Sequence, residues 1–364
     1  MTDTDTTSPE PGLPAGLTAE LPFLTANLPG IGGLLKQNPA DFRVEEIPAY
    51  LPEGDGEFLY LWIEKTGLSG EQLTSHLARM LGIAHQDIGM AGLKDRHAIT
   101  RQMISVPVRC ESRLPEIRDE RIRVLEVNRH RNKLRTGHLR GNRFSILLRE
   151  VSPTALQTAE QIADVLRQTG FPNYFGEQRF GRDLETLQLG WGLLQGTARP
   201  GQIPYARRKF LLRLALSSVQ SALFNVCLAE RLRDGVLEQV LPGDVMQVAA
   251  SGGPFVVEDV AREQARLEQR EIVISGPLFG PSMKPPTGVV AEREERVLRG
   301  AGLSAESFIK YANLTPGARR PYVIRLEDLR VIEEAEGLRF EFTLPAGCYA
   351  TTLLREFQKP RNAS

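Results

Sequence analysis

Strand-like segments stand at both ends of this chain, and helical patterns fill its middle. Residues 41–47 alternate apolar and polar side chains through Phe42 and Val44, and residues 58–63 form a dense aromatic and aliphatic run. Both read as strands, the second mostly buried. Residues 88–91, 103–108, 122–127 and 144–148 read as further strands. Strands return at 322–332 and 338–344, on either side of a turn at Glu336-Gly337. One sheet can use both groups only if the segment between them is an insertion. The expected architecture is therefore α+β and discontinuous: 36–170 with 322–358 as one domain, and 171–321 as an inserted, helix-rich domain. A length of 364 residues also suggests two domains.

Helix signals fit this layout. Ser69 followed by Gln72 reads as a capping box ahead of Leu73, Leu77, Met80 and Leu81 at helical spacing. Ser152-Pro153 opens a helix that Gly170 stops. A long helix over about 208–233 carries Leu212, Leu216, Val219, Leu223, Val226 and Leu232 on one stripe. Residues 262–271 and 291–299 read as charged helices, and 349–357 as a closing one. Residues 1–35 hold four acids, five prolines and no Lys or Arg, and read as a flexible N-terminal tail. Gly30-Ile31-Gly32-Gly33 lies there with no strand before it, so it is a weak dinucleotide-binding signal. No positively charged leader is expected ahead of Lys36, and no apolar run approaches the roughly 20 residues of a membrane span. Cys110, Cys227 and Cys348 lie far apart with no C-x-x-C spacing. That fits a reducing, cytoplasmic setting rather than a disulfide framework or a Cys-rich zinc site.

Charge has to be counted locally. Lys and Arg total 45 and Asp and Glu total 45, and a net charge of zero by itself argues against a nucleic-acid partner. Yet Arg129, Arg131, Lys133, Arg135, Arg140, Arg143 and Arg149 follow one another with no acid between them, and 94–149 holds 15 basic against 6 acidic residues. Arg207, Arg208, Lys209 and Arg213 form a second cluster. Such a run reads either as a surface for a phosphate backbone or as a solvated strand face with acids packed opposite. Phe144 inside the run is either a stacking platform or a core residue.

One acid sits in the basic region on a loop. Asp95 lies in Gly92-Leu93-Lys94-Asp95-Arg96-His97, after a short strand. Neighbouring positive charge favours an ionised carboxylate, which can act as nucleophile or general base. The plainer reading is an Asp in a turn with a surface ion pair. His97 reads as a general base or as a hydrogen-bonding structural group. No H-E-x-x-H, G-x-S-x-G or G-x-x-x-x-G-K-[ST] occurs.

The string Gly89-Met90-Ala91-Gly92-Leu93-Lys94-Asp95-Arg96-His97-Ala98-Ile99-Thr100-Arg101-Gln102 resembles the signature of the TruD family of tRNA pseudouridine synthases, which modify uridine-13. Residues 36–46 are similar to the family's opening segment, and 133–144, ending Gly-Asn-Arg-Phe, to its basic strand. Residues 172–181 (PNYFGEQRFG) resemble its second hallmark, 218–232 a helix of the inserted domain, and 344–351 the C-terminal block. The resemblance covers about 36–358.

The resemblance implies a pseudouridine-synthase-like catalytic domain with a mixed, mostly antiparallel sheet, interrupted by an inserted TRUD domain. It implies that Asp95 is catalytic and that Lys94 holds or neutralises it. Asn142 and Phe144 would line the uridine pocket, Phe144 by stacking. Tyr349 falls where the family often has Phe. Arg96, His97, Arg129, Arg131, Lys133, Arg135, Arg140, Arg143, Asn173 and Arg179 are the expected RNA contacts. The implied partner is tRNA, taken up by a monomer with no membrane, metal or nucleotide cofactor involved. Two alternatives stay open: a non-catalytic RNA-binding protein or chaperone on the same scaffold, and a synthase acting on another RNA uridine.

Overall fold

The structure, a computed structural model, describes residues 12–359. In chain order it contains β1 (Gly32–Leu34), β2 (Phe42–Pro48), β3 (Phe58–Thr66), α1 (Gly70–Leu81), β4 (Gly89–Met90), β5 (Ile99–Pro107), β6 (Ile122–His130), β7 (Leu139–Val151) and α2 (Ala155–Thr169). Then come β8 (Phe171–Pro172), α3 (Glu185–Gln195), α4 (Tyr205–Arg233), β9 (Val245–Val248), β10 (Pro254–Val256), α5 (Val260–Glu268), β11 (Ile272–Leu278) and α6 (Gly288–Gly300). The chain ends with β12 (Ala318–Pro321), β13 (Val323–Ile324), β14 (Arg330–Glu334), β15 (Gly337–Pro345) and α7 (Ala350–Gln358). Among the described residues, Asn27–Phe171 and 325–359 form one compact unit, and 12–26 with Pro172–Ile324 form the other.

The first unit is built on a sheet of order β14-β15-β7-β2-β5-β3-β6, with β1 added to β7 and β4 to β5. It is mixed and mostly antiparallel; β2 and β5 run parallel. The late strands complete the early sheet, because β15 pairs with β7 along its whole length. One face is covered by α1, whose Leu73, Leu77 and Leu81 bury completely against Leu59, Leu61, Ile63 and Ile104. Burying such a side chain contributes about 1.5–3 kcal/mol. Ser69 caps α1 through the expected capping box, its Oγ accepting from the Gln72 N–H at 3.1 Å. On the same face Phe340 meets Phe357 of α7, with ring centroids 4.7 Å apart.

The second unit holds α3, α4, α5 and α6 and also a four-stranded sheet, β10-β9-β11-β12. The sequence shows only the helices. These strands are three to seven residues long, too short for alternation to stand out. The two glycines in α3 argue against a helix by propensity but serve its packing. A Cβ on Gly190 would lie 2.0 Å from the Ala215 carbonyl oxygen of α4. By length and hydropathy, residues 207–233 of α4 could cross a membrane, contrary to the expectation that no run approaches that length. Two thirds of that window (67%) is buried in this unit, as in the core helix of a folded domain.

Three expectations change. The segment expected to be a flexible tail is ordered from Gly12 onward. Residues 15–18 form a single helical turn, Thr25 and Ile31 are buried, and β1 pairs with β7. The glycine cluster explains the docking: a Cβ on Gly30 would stand 2.7 Å from the Gln358 carbonyl oxygen, and one on Gly33 3.2 Å from that of Arg149. It is a close-approach device and not a phosphate loop. The strand expected over 322–332 is interrupted, because Leu326 and Leu329 turn into the core and Arg167 Nε donates to the Leu329 carbonyl at 3.1 Å. The hairpin turn falls at Ala335-Glu336, with Glu334 opposite Gly337.

Candidate active site

Asp95 sits on the loop between β4 and β5, and both ends of that loop are pinned. Gly89 has no room for a side chain: a Cβ would lie 2.3 Å from the Leu134 carbonyl oxygen and from Ser105 Oγ. Ala91 and Ala98 are buried, and the Ala91 carbonyl accepts from the Gly137 N–H at 2.8 Å. Between these anchors the chain turns Lys94 inward and leaves the Asp95 carboxylate open, its side chain 42% exposed. Arg96 and His97 are exposed beside it.

Lys94 does not hold Asp95. Its Nζ lies 2.5 Å from Glu46 Oε2, both side chains buried, and Glu46 Oε1 accepts from the Met103 N–H at 3.2 Å. The expectation drawn from adjacency in sequence fails because the loop buries Lys94 against Glu46 while leaving the Asp95 carboxylate open. Two other lysines take the role. Lys36 Nζ stands 3.3 Å from Asp95 Oδ2. Lys65 is fully buried on β3 and donates to the main-chain carbonyls of Asp95 at 2.7 Å and Leu68 at 2.6 Å. Burial pushes the Lys65 ammonium down to about 8, against the pull of Asp95 and with a smaller push from Lys94. Sequence reading missed Lys36, Lys65 and Glu46 as site residues. A signal was present for two of them: stepping by two from Leu59, Leu61 and Ile63 reaches Lys65, and from Phe42 and Val44 reaches Glu46, so both charges fall on the inward face.

Ladder register brings the remaining residues onto that face. Phe342, Phe144 and Val44 lie directly opposite one another, and Val44 and Lys65 both register with Thr100. The neighbouring row runs Leu344, Asn142, Glu46. Residues directly opposite in a sheet share a face. The groups that grip the Asp95 loop, Lys65 and Glu46, therefore share a face with Asn142 and Phe144. Phe144 is stacked on Phe342 (5.4 Å, 24°) and meets the edge of Phe42 (6.3 Å, 78°), and Lys36 Nζ stands 4.2 Å from the Phe42 ring centre. Asn142 Oδ1, Gln102 Oε1 and Thr100 Oγ1 are buried with no hydrogen-bond partner among the described residues. Buried polar atoms without a partner are uncommon in folded proteins, and these three belong to residues that share one sheet face. Tyr349 is half-buried at the N-cap of α7. Gly141 must be glycine here, since a Cβ would lie 2.3 Å from the Leu344 carbonyl oxygen.

The expected RNA contacts divide sharply. Arg129 pairs with Glu111, Arg131 with Glu53 and Asp55, Arg143 with Glu45, and Arg149 with Asp41 and Glu336. Lys133 Nζ donates to the Gln86 carbonyl. This much of the stripe is the strand face with acids packed opposite. Arg135 and Arg140 are exposed and make no ion pair among the described residues. A groove of about 710 Å³ is lined by Arg43, Arg101, Arg143 and Glu64, which alternate with the inward residues along their strands, and also by Val44, Phe144 and Phe342. Arginines and acids neutralise each other there, as in Arg101–Glu64 at 2.9 Å.

Asn173 and Arg179, in the second unit, are fastening groups. Asn173 is buried, its amide donating to the Pro321 carbonyl at 2.9 Å and its Oδ1 accepting from Arg320. Arg179 donates to Ser217 Oγ at 2.9 Å and Ser221 Oγ at 3.3 Å. Asn225 of α4 exchanges two hydrogen bonds with the Phe175 main chain. The segments 172–181 and 218–232 thus lock onto each other.

Comparison with known proteins agrees along almost the whole chain. The family model described as tRNA pseudouridine synthase D (TruD) matches residues 19–200 and 206–357. The chain is 43% identical over 340 residues to the tRNA pseudouridine synthase D of Anaeromyxobacter dehalogenans, covering 93% of this chain and 97% of that one. It is 42% identical over 339 residues to a tRNA pseudouridine synthase D of Thermus thermophilus, covering 93% and 92%. A crystal structure from Methanosarcina mazei, described as a TruD tRNA pseudouridine synthase, superposes with a TM-score of 0.76 at 26% identity, covering 97% of this chain and 99% of that one.

Proposed function

Because this chain belongs to the TruD family of tRNA pseudouridine synthases, we propose that it converts a uridine of tRNA, at position 13, to pseudouridine, with Asp95 as the catalytic carboxylate. The observation that carries this reading is the setting of Asp95. Its carboxylate is open, its main-chain carbonyl is fixed by the buried Lys65, and its loop is gripped over the sheet face that carries Asn142 and Phe144.

The reaction is an isomerisation. The N1–C1′ bond breaks, a C5–C1′ bond forms, C5 loses its proton and N1 gains one, so no oxidant or co-reactant is required. An ionised Asp95 serves as nucleophile toward C1′ or C6, or as base toward the ribose 2′ proton. Lys36 keeps positive charge beside that carboxylate. The unpartnered Asn142 Oδ1 suits a donor such as the uracil N3–H, and Phe144 supplies the aromatic wall of the pocket. The target base must leave its stack to present its glycosidic carbon and C6 to a protein carboxylate.

In this reading the unit of Asn27–Phe171 and 325–359 is the catalytic domain and Pro172–Ile324 is the TRUD insertion. The protein works as a cytoplasmic monomer without metal or nucleotide cofactor. The test is chemical mapping of pseudouridine in tRNA transcripts incubated with the protein. A new pseudouridine at position 13 is the expected result; unmodified transcripts would refute the proposal.

A further inference from the structure

The second basic cluster, at the start of α4, has no role in the site just described. From Ala215 the helix is core, with Leu216, Val219, Leu223 and Phe224 buried. The turns before that project outward. Tyr205 is 86% exposed and Phe210 65% exposed, and these are the exposed large aromatics among the described residues. Arg207, Lys209 and Arg213 are exposed as well. No acid occurs between Glu185 and Glu230, and none of the three pairs with one among the described residues. Arg208 donates to the Ile203 carbonyl at 3.2 Å and holds its guanidinium 5.5 Å from the Tyr205 ring centre, which orients that ring.

This is the reverse of the stripe at 129–149, most of whose charges are neutralised within the chain. Two large aromatic faces left in water cost free energy, and uncompensated like charges repel one another. Phosphates with unpaired bases relieve both at once. Base pairs in an A-form helix do not offer their faces, whereas bases in loops do. We propose that the start of α4 is a second RNA-contacting surface, taking phosphates on Arg207, Lys209 and Arg213 and unpaired tRNA bases on Tyr205 and Phe210. It rests on the reading of the chain as a tRNA-modifying enzyme.

The test uses the full chain, a Tyr205→Ala/Phe210→Ala variant and an Arg207→Gln/Lys209→Gln/Arg213→Gln variant. Affinity for tRNA transcripts is measured against salt concentration, and pseudouridine formation under saturating single-turnover conditions. Each neutralised phosphate contributes about 0.7–0.9 to the slope of log affinity against log salt, so the charge variant should lose about 2. The aromatic variant should bind about five-fold more weakly or worse with the slope kept. Tyr205→Phe/Phe210→Tyr should bind as wild type. All should retain the saturated rate, because none of these side chains is near Asp95 in the sequence or in its unit. Wild-type affinity and slope in both variants would overturn the assignment, as would a loss confined to binding phosphatidylserine vesicles. Expected binding changes on a wild-type protein that forms no pseudouridine would uphold the surface and refute the reaction instead.

Discussion

Lys36 meets the Asp95 carboxylate at 3.3 Å from a left-handed backbone conformation, with φ at +58°. For a residue with a Cβ that conformation costs about 1–2 kcal/mol. The same ammonium stands 4.2 Å from the Phe42 ring centre. Replacing Lys36 with Met keeps length and removes the charge. The single-turnover rate should fall about ten- to a hundred-fold, the scale expected when a reacting group loses its positioning partner. Affinity for tRNA should change little. A variant with the wild-type rate would show that the ion pair is incidental.

Asp95→Asn and Asp95→Ala should abolish pseudouridine formation, by about a thousand-fold or more, since loss of the proposed reacting carboxylate would leave only binding and orientation. Because the side chain is exposed and its main-chain carbonyl makes the contact with Lys65, folding and tRNA binding should persist. Tritium release from 5-labelled uridine in tRNA measures the first, and equilibrium binding the second. Activity in Asp95→Ala would remove Asp95 from the mechanism.

Lys65 makes a prediction about pH. Its ammonium is buried and titrates near 8 in the folded protein, below the ordinary lysine value of 10.5. The unfolded chain therefore holds a proton that the native state releases between these values, so stability should rise with pH from about 8 to about 10.5. The gain is at most about 3 kcal/mol, one pKa unit being worth about 1.4. Lys65→Met should lack this rise in urea unfolding and lose most of the catalytic rate, because the Asp95 and Leu68 carbonyls lose their donor. Parallel pH–stability curves for the two proteins would refute the assignment.

The basic stripe should prove uneven. Arg135→Gln and Arg140→Gln should each lower the salt slope of tRNA binding by about 0.7–0.9. Arg143→Gln should change it far less, because Arg143 already faces Glu45 at 3.2 Å. Equal effects of the three substitutions would show that the internal pairs open on binding.

Much of the fold follows from local pattern. The alternation at Phe42 and Val44, the Ser69–Gln72 capping box and the returning strands at the C-terminal end express periodicities and caps that any short window contains. Asp95 is marked by its motif, and Asn142 and Phe144 by theirs. The partners of these residues are not legible in the same way. Lys94 turns to Glu46 across the sheet, while Lys36 and Lys65 reach Asp95 from separate strands and loops. Charge count could not separate Arg135 from Arg143, because that difference depends on whether an acid lies opposite in the folded sheet. Residue type and spacing are local properties, so the chain read in order already singles out the candidate residues for the proposed chemistry. Which charges meet is set only by folding, because an ion pair depends on distance through space and on burial, and neither is written along the chain.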